Sequence, residues 1–451
     1  MTGPLDGVTI EAEDWPAARA AAALLSALGA RTSIRTSAAG MAVRAPWHGV
    51  RATPTAAAAD WAESGAMWLT GRPDGPPLHT TGRPATVARG AAFALELLSA
   101  KAGKPVRLDG ARLLGERAAL AGLRRRGDVS AGESARLLRA ADGWLALNLA
   151  RDADIELVPA LVESGPDDDP WSLVSRWAAS QRANDAVARA VLLGLPAAAL
   201  RPPPRTPAPW LVTALPAGQR RTGDQMLVVN LAALWAGPLC ARLLSLAGAR
   251  VIDVESSRRP DRSRQGNPRF FDRLHAGHES VTLDLTGPSG RATLLALVRA
   301  ADVVIEASRP RALAELGVSA AAVLSDRRPR TWIRITGHGQ VNRAAFGDDA
   351  AVAGGLAAWD GAGPVFAGDA IADPLTGLIA AVAALASFTG TGSAVIDLSM
   401  RDIAALAVRA GPTSGTVTAP APLPPPAAGP AAALGTSTAA VLAELTPGLP
   451  I

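Results

Sequence analysis

Apolar and polar positions alternate in blocks between residues 224 and 402, and these blocks predict strands and helices in turn. Short apolar runs between turn residues indicate buried strands, whereas longer amphipathic runs indicate helices. The predicted strands are 226–230, 251–255, 280–285, 302–306, 331–336 and 394–398. The predicted helices are 238–247, 291–300, a short one near Ala312 and the run after Pro374. Strands that alternate with helices predict a parallel sheet with right-handed crossovers.

Four loops follow the carboxyl ends of these predicted strands. In open parallel sheets, ligands bind beyond the carboxyl ends of the strands. The loops are residues 232–238, 255–262, 307–311 and 336–340. The pattern therefore predicts a binding cleft at this edge of the sheet, and these loops are its candidate walls.

The stretch 363–401 places one acidic residue, Asp373, between an apolar approach and a long run of Ala, Leu, Ile and Val. Pro374 follows it and suits the first turn of a helix, where a missing N–H costs nothing. An Asp at such a point is typical of a helix N-cap. A carboxylate on a helix N-terminus in an apolar setting can also be a nucleophile. The pattern alone leaves both interpretations open.

Part of the pattern occurs twice along the chain. Residues 24–31, LLSALGAR, return as residues 243–250, LLSLAGAR, and Trp15 precedes the first copy as Trp235 precedes the second. Each copy reads as an amphipathic helix that ends in glycine. We interpret the two copies as one module present twice, with chance similarity between alanine-rich helices as the alternative.

A looser match extends this interpretation. The predicted helix that contains Gly90 corresponds to the one that contains Gly377. In the first copy, Thr86 or Val87 stands where the second copy has Asp373. If both halves descend from one module, only the second half kept the acid.

The charge of the chain is spread along its length. The 451 residues carry a formal net charge of +5, and aromatic residues make up 4%. A nucleic-acid-binding face needs clustered basic residues with interleaved aromatics. The composition therefore argues against nucleic acid as a partner and favours a small polyanion bound by local arginines.

The compartment follows from cysteine usage and from the first residues. The single cysteine, Cys240, cannot form an internal disulfide, which indicates a reducing compartment. The acidic N-terminus lacks the plan of a signal peptide, and no apolar run has the length and hydrophobicity of a membrane span. We therefore expect a cytoplasmic protein with no membrane partner.

Redox cofactors and metals find little support in the sequence. The turn after the first strand, residues 231–238, has one glycine and no GxGxxG, which dinucleotide binding needs. The five histidines have no Cys or acid at metal-ligand spacing. These histidines are at positions 48, 79, 275, 278 and 338. We expect no bound cofactor and no metal site.

Several short segments carry a resemblance to a known family. They are WAGP (235–238), VIDVE (251–255), SVTLDL (280–285), ADVVIE (301–306), RP (309–310), ITGHGQ (335–340) and AD (372–373). In these segments the sequence resembles the family III CoA-transferases, the group that includes formyl-CoA transferase and α-methylacyl-CoA racemase. The resemblance implies an α/β fold: a Rossmann-like parallel sheet, with a degenerate N-terminal repeat and small-domain elements.

The resemblance also implies an activity and a set of site residues. Asp373 stands at the position of the family's nucleophile, which forms an aspartyl anhydride and then an aspartyl-CoA thioester. Coenzyme A is then a substrate, and the partners are an acyl-CoA and a carboxylic acid. The residues implied to contact CoA are Trp235, Ala236, Arg258, Ala307, Ser308, Arg309, Thr336, Gly337 and His338.

This sequence departs from the family pattern at three places. His278 and Glu279 stand where the family has Lys-Arg, and Ala307 and Ser308 stand where it has Asn-Phe. Asp348 stands where the racemases have a histidine. Racemisation needs a second acid/base across the α-carbon, so the racemase subclass loses weight.

The expected organisation is a rearranged, fused form of the family. We expect a degenerate half with small-domain elements (1–205), a linker (206–223), a catalytic half (224–411) and a proline-rich tail with a short helix (412–451). The chain would then hold parts of two subunits, as a monomeric pseudo-dimer or as a homodimer.

Three functions stay open from the sequence. The first is a CoA-transferase with Asp373 as its nucleophile. The second is an acyl-CoA racemase or isomerase with Asp373 as one base and His338 as its partner. The third is a non-catalytic subunit that binds CoA.

Overall fold

The computed structural model describes residues 3–36, 40–164, 169–204, 208–215, 225–308, 312–326, 328–390 and 392–446. The strands before residue 225 are β1 (Thr9–Glu13), β2 (Arg31–Arg35), β3 (Met41–Ala45), β4 (His48–Arg51), β5 (Ala135–Ala140), β6 (Gly143–Asn148), β7 (Ala197–Ala199) and β8 (Trp210–Leu215). The later strands are β9 (Leu227–Asn230), β10 (Arg250–Ser256), β11 (Glu279–Leu283), β12 (Val303–Glu306), β13 (Thr331–Thr336), β14 (Ala358–Asp360), β15 (Gly363–Val365) and β16 (Ser393–Ser399).

Helices connect and cover these strands. The helices before residue 225 are α1 (Pro16–Ala27), α2 (Ala57–Glu63), α3 (Pro84–Lys101), α4 (Glu116–Ala121), α5 (Asp152–Glu156), α6 (Val158–Val162), α7 (Pro170–Ser180) and α8 (Ala183–Leu192). The later helices are α9 (Ala236–Leu246), α10 (Pro268–His275), α11 (Pro288–Ala300), α12 (Ala312–Glu315), α13 (Ala320–Leu324), α14 (Gly347–Ala353), α15 (Ala372–Thr389), α16 (Met400–Arg409) and α17 (Thr438–Leu445). Two short 3-10 helices cover Arg112–Leu114 and Arg262–Gln265.

Seven strands form the large sheet, in the order β11-β10-β9-β12-β13-β16-β8. The first six strands are parallel, and β8 pairs antiparallel with β16 at one edge. The strand order reverses between β9 and β12, so the connections that follow these two strands lead to opposite faces of the sheet and leave a crevice between them. The predicted parallel sheet is present, with boundaries shifted by one or two residues.

Strand β8 lies within the segment 206–223, which the sequence analysis interprets as a linker. Its residues, WLVTAL, are apolar or β-branched and extend the sheet at its edge against β16. The flanking prolines concealed this short strand in the sequence, because proline-rich stretches usually remain outside sheets.

Helix α15 is the core helix of the molecule. Of its 18 residues, all from Ala372 to Ser387 except Asp373 are buried, and it packs against α9 and α3. By length and composition this helix could cross a membrane, but 83% of it is buried inside the protein. Burial between other helices is typical of the core helix of a globular domain.

The N-terminal region has a smaller sheet, β2-β1-β3-β4, whose β1 and β2 are parallel and joined by α1. Helix α3 packs against α1 as α15 packs against α9. Trp15 and Trp235 each occupy the position before the first residue of their helix, α1 and α9. The segments paired by the sequence match therefore lie in similar local surroundings.

A third unit contains β5, β6 and β7 in one antiparallel sheet, covered by α5 to α8. Strand β6 and strand β7 also contact α14, which belongs to the second half of the chain. The proline-rich tail lies along both regions: Pro422 packs on Gly65 and Gly115, and α17 packs on β11. The predicted C-terminal helix is present and begins at Thr438.

Two glycines permit close contacts between helices in this core. A Cβ on Gly377 would lie 2.5 Å from the Ala236 carbonyl oxygen, and a Cβ on Gly90 would lie 2.5 Å from that of Ala17. We expect Gly377→Ala to lower the free energy of unfolding by about 1–3 kcal/mol, because the helices must separate. Thermal unfolding measures the change. Gly361→Ala, where a Cβ would meet nothing within 4 Å, is the matched control, and equal effects of both substitutions would contradict the packing argument.

Candidate active site

A cavity of about 690 Å³ opens at the carboxyl ends of β9, β12 and β13. This is the edge at which the sequence pattern placed the binding cleft. Seven of the ten predicted site residues line the cavity. They are Trp235, Ala236, Ala307, Ser308, Thr336, Gly337 and Asp373.

The other three predicted residues are placed elsewhere. Arg258 does not line the cavity; it is exposed and forms a 3.3 Å ion pair with Asp284, also exposed. His338 is buried away from the cavity lining, and burial lowers its pKa to about 3, so its imidazole is neutral near pH 7. Arg309 lies outside the described residues.

A different arginine of the same loop reaches the cavity. Arg262 lines it, in the 3-10 helix that follows β10, and its side chain is exposed. Arg258 was predicted from its position in the family pattern. The loop turns between these residues, since Asp261 accepts the backbone N–H groups of Ser263 at 2.8 Å and Leu234 at 3.0 Å.

The N-terminal half forms one wall of the cavity. Arg117 of α4, Ser134, Asn148 of β6 and Arg151 all line it. Asn148 is 1% exposed, and its Oδ1 has no hydrogen-bond partner. No local pattern marks these residues as functional, because they reach the site only through the packing of the two halves.

Asp373 is the second residue of α15, whose N-cap position is Ile371. The helix begins two residues earlier than the N-cap interpretation of Asp373 requires. Ala370 has a φ of 41°, a conformation that non-glycine residues rarely adopt, and it turns the chain into the helix. Asp373 thus borders the cavity and lies in the first turn of α15, where the helix dipole favours a negative charge.

Gly347, the first residue of α14, lies directly against the Asp373 carboxylate. A Cβ at position 347 would collide with Oδ2 of Asp373 and with the carbonyl oxygen of Ala370. The Gly347 N–H stabilises the ionised form of Asp373. Only glycine allows the backbone to approach this closely.

The environment of Asp373 makes it a weak acid. Enclosure by protein raises its pKa to about 7, the positive charge of Arg117 lowers it, and the negative charge of Asp348 raises it. Part of its side-chain surface stays accessible because it borders the cavity. A carboxylate that is desolvated but reachable has the properties that a nucleophile needs.

Arg117 joins the N-terminal half to the loop before α15. Its guanidinium forms a bidentate ion pair with Asp369, which is 1% exposed, and lies 5.0 Å from the ring centroid of Trp235. Burial lowers the pKa of Arg117, but the nearby carboxylates, Asp369 above all, outweigh burial and raise the pKa above its ordinary value, so Arg117 is always charged. This pair places a fixed positive charge beside Asp373.

Asp348 is a second carboxyl group in the cavity wall. It lies in the first turn of α14, is 5% exposed, and its Oδ1 accepts the Ala370 N–H at 3.0 Å. Burial and then the charge of Asp369 raise its pKa to about 7. The neighbouring Asp349 is fully buried, accepts the Phe346 N–H at 2.9 Å and has a pKa raised to about 8 by burial.

Two of the five histidines pair with an acid, although the sequence shows no acid at ligand spacing from them. Nδ1 of His275 and Nδ1 of His278 lie 2.8 Å and 3.0 Å from the same oxygen of Asp253. In the described part of the chain, this buried trio is the group whose geometry could hold a metal ion. The spacing rule missed it because Asp253 comes from β10, more than 20 residues away.

Comparison with known proteins relates part of this chain to a protein family. Residues 224–434 match the model of CoA-transferase family III. The chain is 34% identical over 176 residues to succinyl-CoA–D-citramalate CoA-transferase of Chloroflexus aurantiacus, covering 36% of this chain and 44% of that protein. It is 32% identical over 202 residues to succinate–glutarate CoA-transferase of Agrobacterium fabrum, covering 39% and 50%. Human alpha-methylacyl-CoA racemase is 35% identical over 114 residues, covering 25% and 28%.

A solved structure of a CAIB/BAIF family protein from Brucella suis is 29% identical, covers 42% of this chain and 55% of its own, and has a TM-score of 0.38. The chain spans about half the length of the curated relatives it matches. The matched region contains the strand ends, the loops that follow them and Asp373. Residues 224–434 of this chain are therefore similar to CoA-transferase family III.

Proposed function

We propose that this protein transfers coenzyme A between an acyl-CoA and a carboxylic acid, with Asp373 as the nucleophile. One observation carries the proposal: Asp373 borders the cavity at the strand ends, enclosed by protein, beside the positive charge of Arg117 and against the Gly347 N–H. A carboxylate gains nucleophilicity when it is desolvated and held in position.

The reaction balances without a bound cofactor. An Asp373 oxygen attacks the thioester carbon, the C–S bond breaks, and CoA leaves as a thiolate while a mixed anhydride forms. The thiolate then attacks the Asp373 carbonyl carbon, which releases the acyl group as its carboxylate and leaves an aspartyl-CoA thioester. An acceptor carboxylate repeats both steps in reverse. The Gly347 N–H and the Arg117 charge would stabilise Asp373 each time it leaves as a carboxylate.

The strand order of the large sheet supports a CoA site at this edge. The strand order reverses between β9 and β12, as in Rossmann-like sheets, and nucleotides bind at such points. Trp235 and Ala236 would lie along the adenine and pantetheine, and Ala307 and Ser308 would flank them. Thr336 and Gly337 would face the thioester, since they line the cavity together with Asp373.

The proposed fused organisation implies one active site per chain. The segments around α1 and α3 resemble those around α9 and α15, but Thr86 or Val87 stands where the second copy has Asp373. Thr86 donates its hydroxyl to Asp60 at 2.7 Å. The N-terminal half supplies Arg117 and Asn148 to the site instead. We propose that the chain is a pseudo-dimer whose first half completes the cavity of the second.

Covalent trapping tests this proposal. The protein is incubated with succinyl-CoA, acetyl-CoA or formyl-CoA, quenched with hydroxylamine or borohydride, and digested for mass spectrometry. We expect one adduct per chain, on Asp373. No adduct with any donor would support a non-catalytic CoA-binding subunit, and two labelled positions per chain would contradict the single-site proposal.

The racemase alternative is not favoured. Its proposed second base, His338, does not line the cavity and is held neutral by burial. The two relatives with the largest matched regions among those reported are named as CoA-transferases. Deuterium wash-in at the α-carbon of a 2-methylacyl-CoA checks this alternative directly, because a transferase leaves that carbon untouched.

Arg262 is the expected contact for the phosphate groups of CoA. We predict that Arg262→Ala raises the KM for acyl-CoA about tenfold, because one charge-assisted contact is lost, and that salt reduces the difference. Steady-state kinetics at low and high ionic strength provide the measurement. Arg258→Ala is the matched control from the same loop and should leave the KM nearly unchanged. A larger effect at Arg258 would indicate that Arg258, and not Arg262, contacts CoA, as the family pattern implies.

We place this reaction in the cytoplasm, where acyl-CoA substrates are available and the single cysteine stays reduced. Cys240 is buried, and burial raises the pKa of its thiol, so it is an unreactive core residue.

A further inference from the structure

Asp348 and Asp373 face the same cavity from the first turns of two helices. Asp348 is the second residue of α14, and Asp373 is the second residue of α15. The backbone at the start of each helix contacts the carboxyl group of the other helix. The Ala370 N–H, just before α15, donates to Asp348 Oδ1 at 3.0 Å, and Gly347, at the start of α14, lies against Asp373 Oδ2. The two carboxyl groups are therefore built as one unit.

The charges around this unit do not balance. Three carboxyl groups, those of Asp348, Asp369 and Asp373, have Arg117 as their nearby cation. Arg117 is already bound directly to Asp369. Like charges this close in an enclosed site repel one another strongly, and one bound proton relieves the repulsion.

The surroundings decide which carboxyl group holds that proton. For Asp373, the largest influence from a neighbouring charge is the positive Arg117. For Asp348, it is the negative Asp369. The proton is therefore favoured on Asp348.

We propose that Asp348 and Asp373 share one proton and that Asp348 keeps it, so that Asp373 is ionised for attack and a carboxylate acceptor can enter the cavity. This inference rests on the CoA transfer proposed above. Asp348 is a positioning residue: it acts through the charge state of Asp373 and of the cavity, and it takes no part in bond exchange.

The consequence is a two-sided pH dependence. The pKa values of both groups are raised to about 7, so they titrate as a coupled pair. Loss of the first proton gives the active monoanion, and loss of the second gives a dianion that repels the acceptor. The rate should rise through the first ionisation and fall through the second. Two other groups face Asp348 and must be separated from it: Asp349, whose pKa is raised to about 8, and Ser130, whose hydroxyl stabilises ionised Asp348.

Exchange of ¹³C-succinate into succinyl-CoA tests this proposal, because the acceptor is then the acid of the donor itself. In the wild type, from about pH 5.5 to 9, we expect the KM for succinate to rise about tenfold on the alkaline side, with little change in kcat. Asp348→Asn cannot ionise but keeps an oxygen for the Ala370 N–H, so its alkaline rise should disappear. Asp349→Asn is the matched control and should keep the rise.

A second variant covers the case in which Asp348→Asn does not fold. Ser130→Ala removes a hydroxyl that favours ionised Asp348, so the pKa of Asp348 goes up and the alkaline rise should move to higher pH. If the rise is unchanged in both variants, or is lost in Asp349→Asn, the inference is overturned. A wild-type adduct on Asp373 together with such a result would overturn this inference alone. Absence of the adduct would overturn the proposed function itself.

Discussion

Asp373→Asn is expected to reduce CoA transfer by at least about 10³-fold and to eliminate the covalent adduct, because the amide cannot form the anhydride. The substitution keeps the size of the side chain in a position that Gly347 and the Ala370 carbonyl enclose. Exchange of ¹³C-succinate into succinyl-CoA measures the rate, and mass spectrometry of the quenched protein measures the adduct.

Stability should change in the opposite sense to activity. The folded-state pKa of Asp373 is about 7, above the 3.8 of the unfolded chain, so its ionised form destabilises the fold above pH 7. This cost diminishes as the pH falls from 7 towards 4, where both states bind the proton. We therefore expect the Tm of Asp373→Asn at pH 8 to be at least that of the wild type, with a smaller gain at pH 5.

A control separates loss of the nucleophile from loss of structure. Asp284→Asn makes the same chemical change at an exposed carboxylate and should leave both activity and adduct intact. If Asp373→Asn retains activity within tenfold of the wild type, the nucleophile assignment is wrong. If its Tm at pH 8 falls below that of the wild type, Asp373 has a structural role in the first turn of α15.

The sequence predicted the parallel sheet because each of its strands is a short apolar run, which can be recognised without knowing the strand that it pairs with. Thr331–Thr336 was predicted with the bounds it has, and the other strands differ by one or two residues. The position of the cleft followed from the topology, since ligands of parallel sheets meet the strand ends. Asp373 could be singled out because it is a lone acid before a long apolar helix, and it borders the cavity.

The other half of the site could not be predicted this way. Arg117 lies 252 residues from its partner Asp369, and Asn148 reaches the cavity only because β6 packs near α14. No periodicity or spacing encodes such contacts. Arg258 and Arg262 belong to one basic loop, and only the fold of that loop shows which of them points into the cavity. The cluster of Asp253, His275 and His278 was missed for the same reason: its residues come from different elements of the chain.

The ion pair between Arg117 and Asp369, which joins the two halves of the chain, leads to the second large expected effect, a change in stability. Arg117→Ala should lower the free energy of unfolding by about 3–5 kcal/mol, because it leaves the carboxylate of Asp369 buried without its cation. Asp369→Asn should cost less, since Arg117 borders the cavity, keeps 30% of its side-chain surface accessible and can be hydrated there. The double variant Arg117→Ala/Asp369→Asn should therefore be more stable than Arg117→Ala alone.

Thermal and urea unfolding of the three variants measure these differences as a double-mutant cycle. Arg258→Ala, which breaks an ion pair with both partners exposed, is the matched control and should change stability by less than about 1 kcal/mol. If the double variant is no more stable than Arg117→Ala, the cost does not come from an unpaired Asp369. The cation–π contact with Trp235 would then be the contact that joins the halves, because it is the other interaction that every Arg117 variant removes.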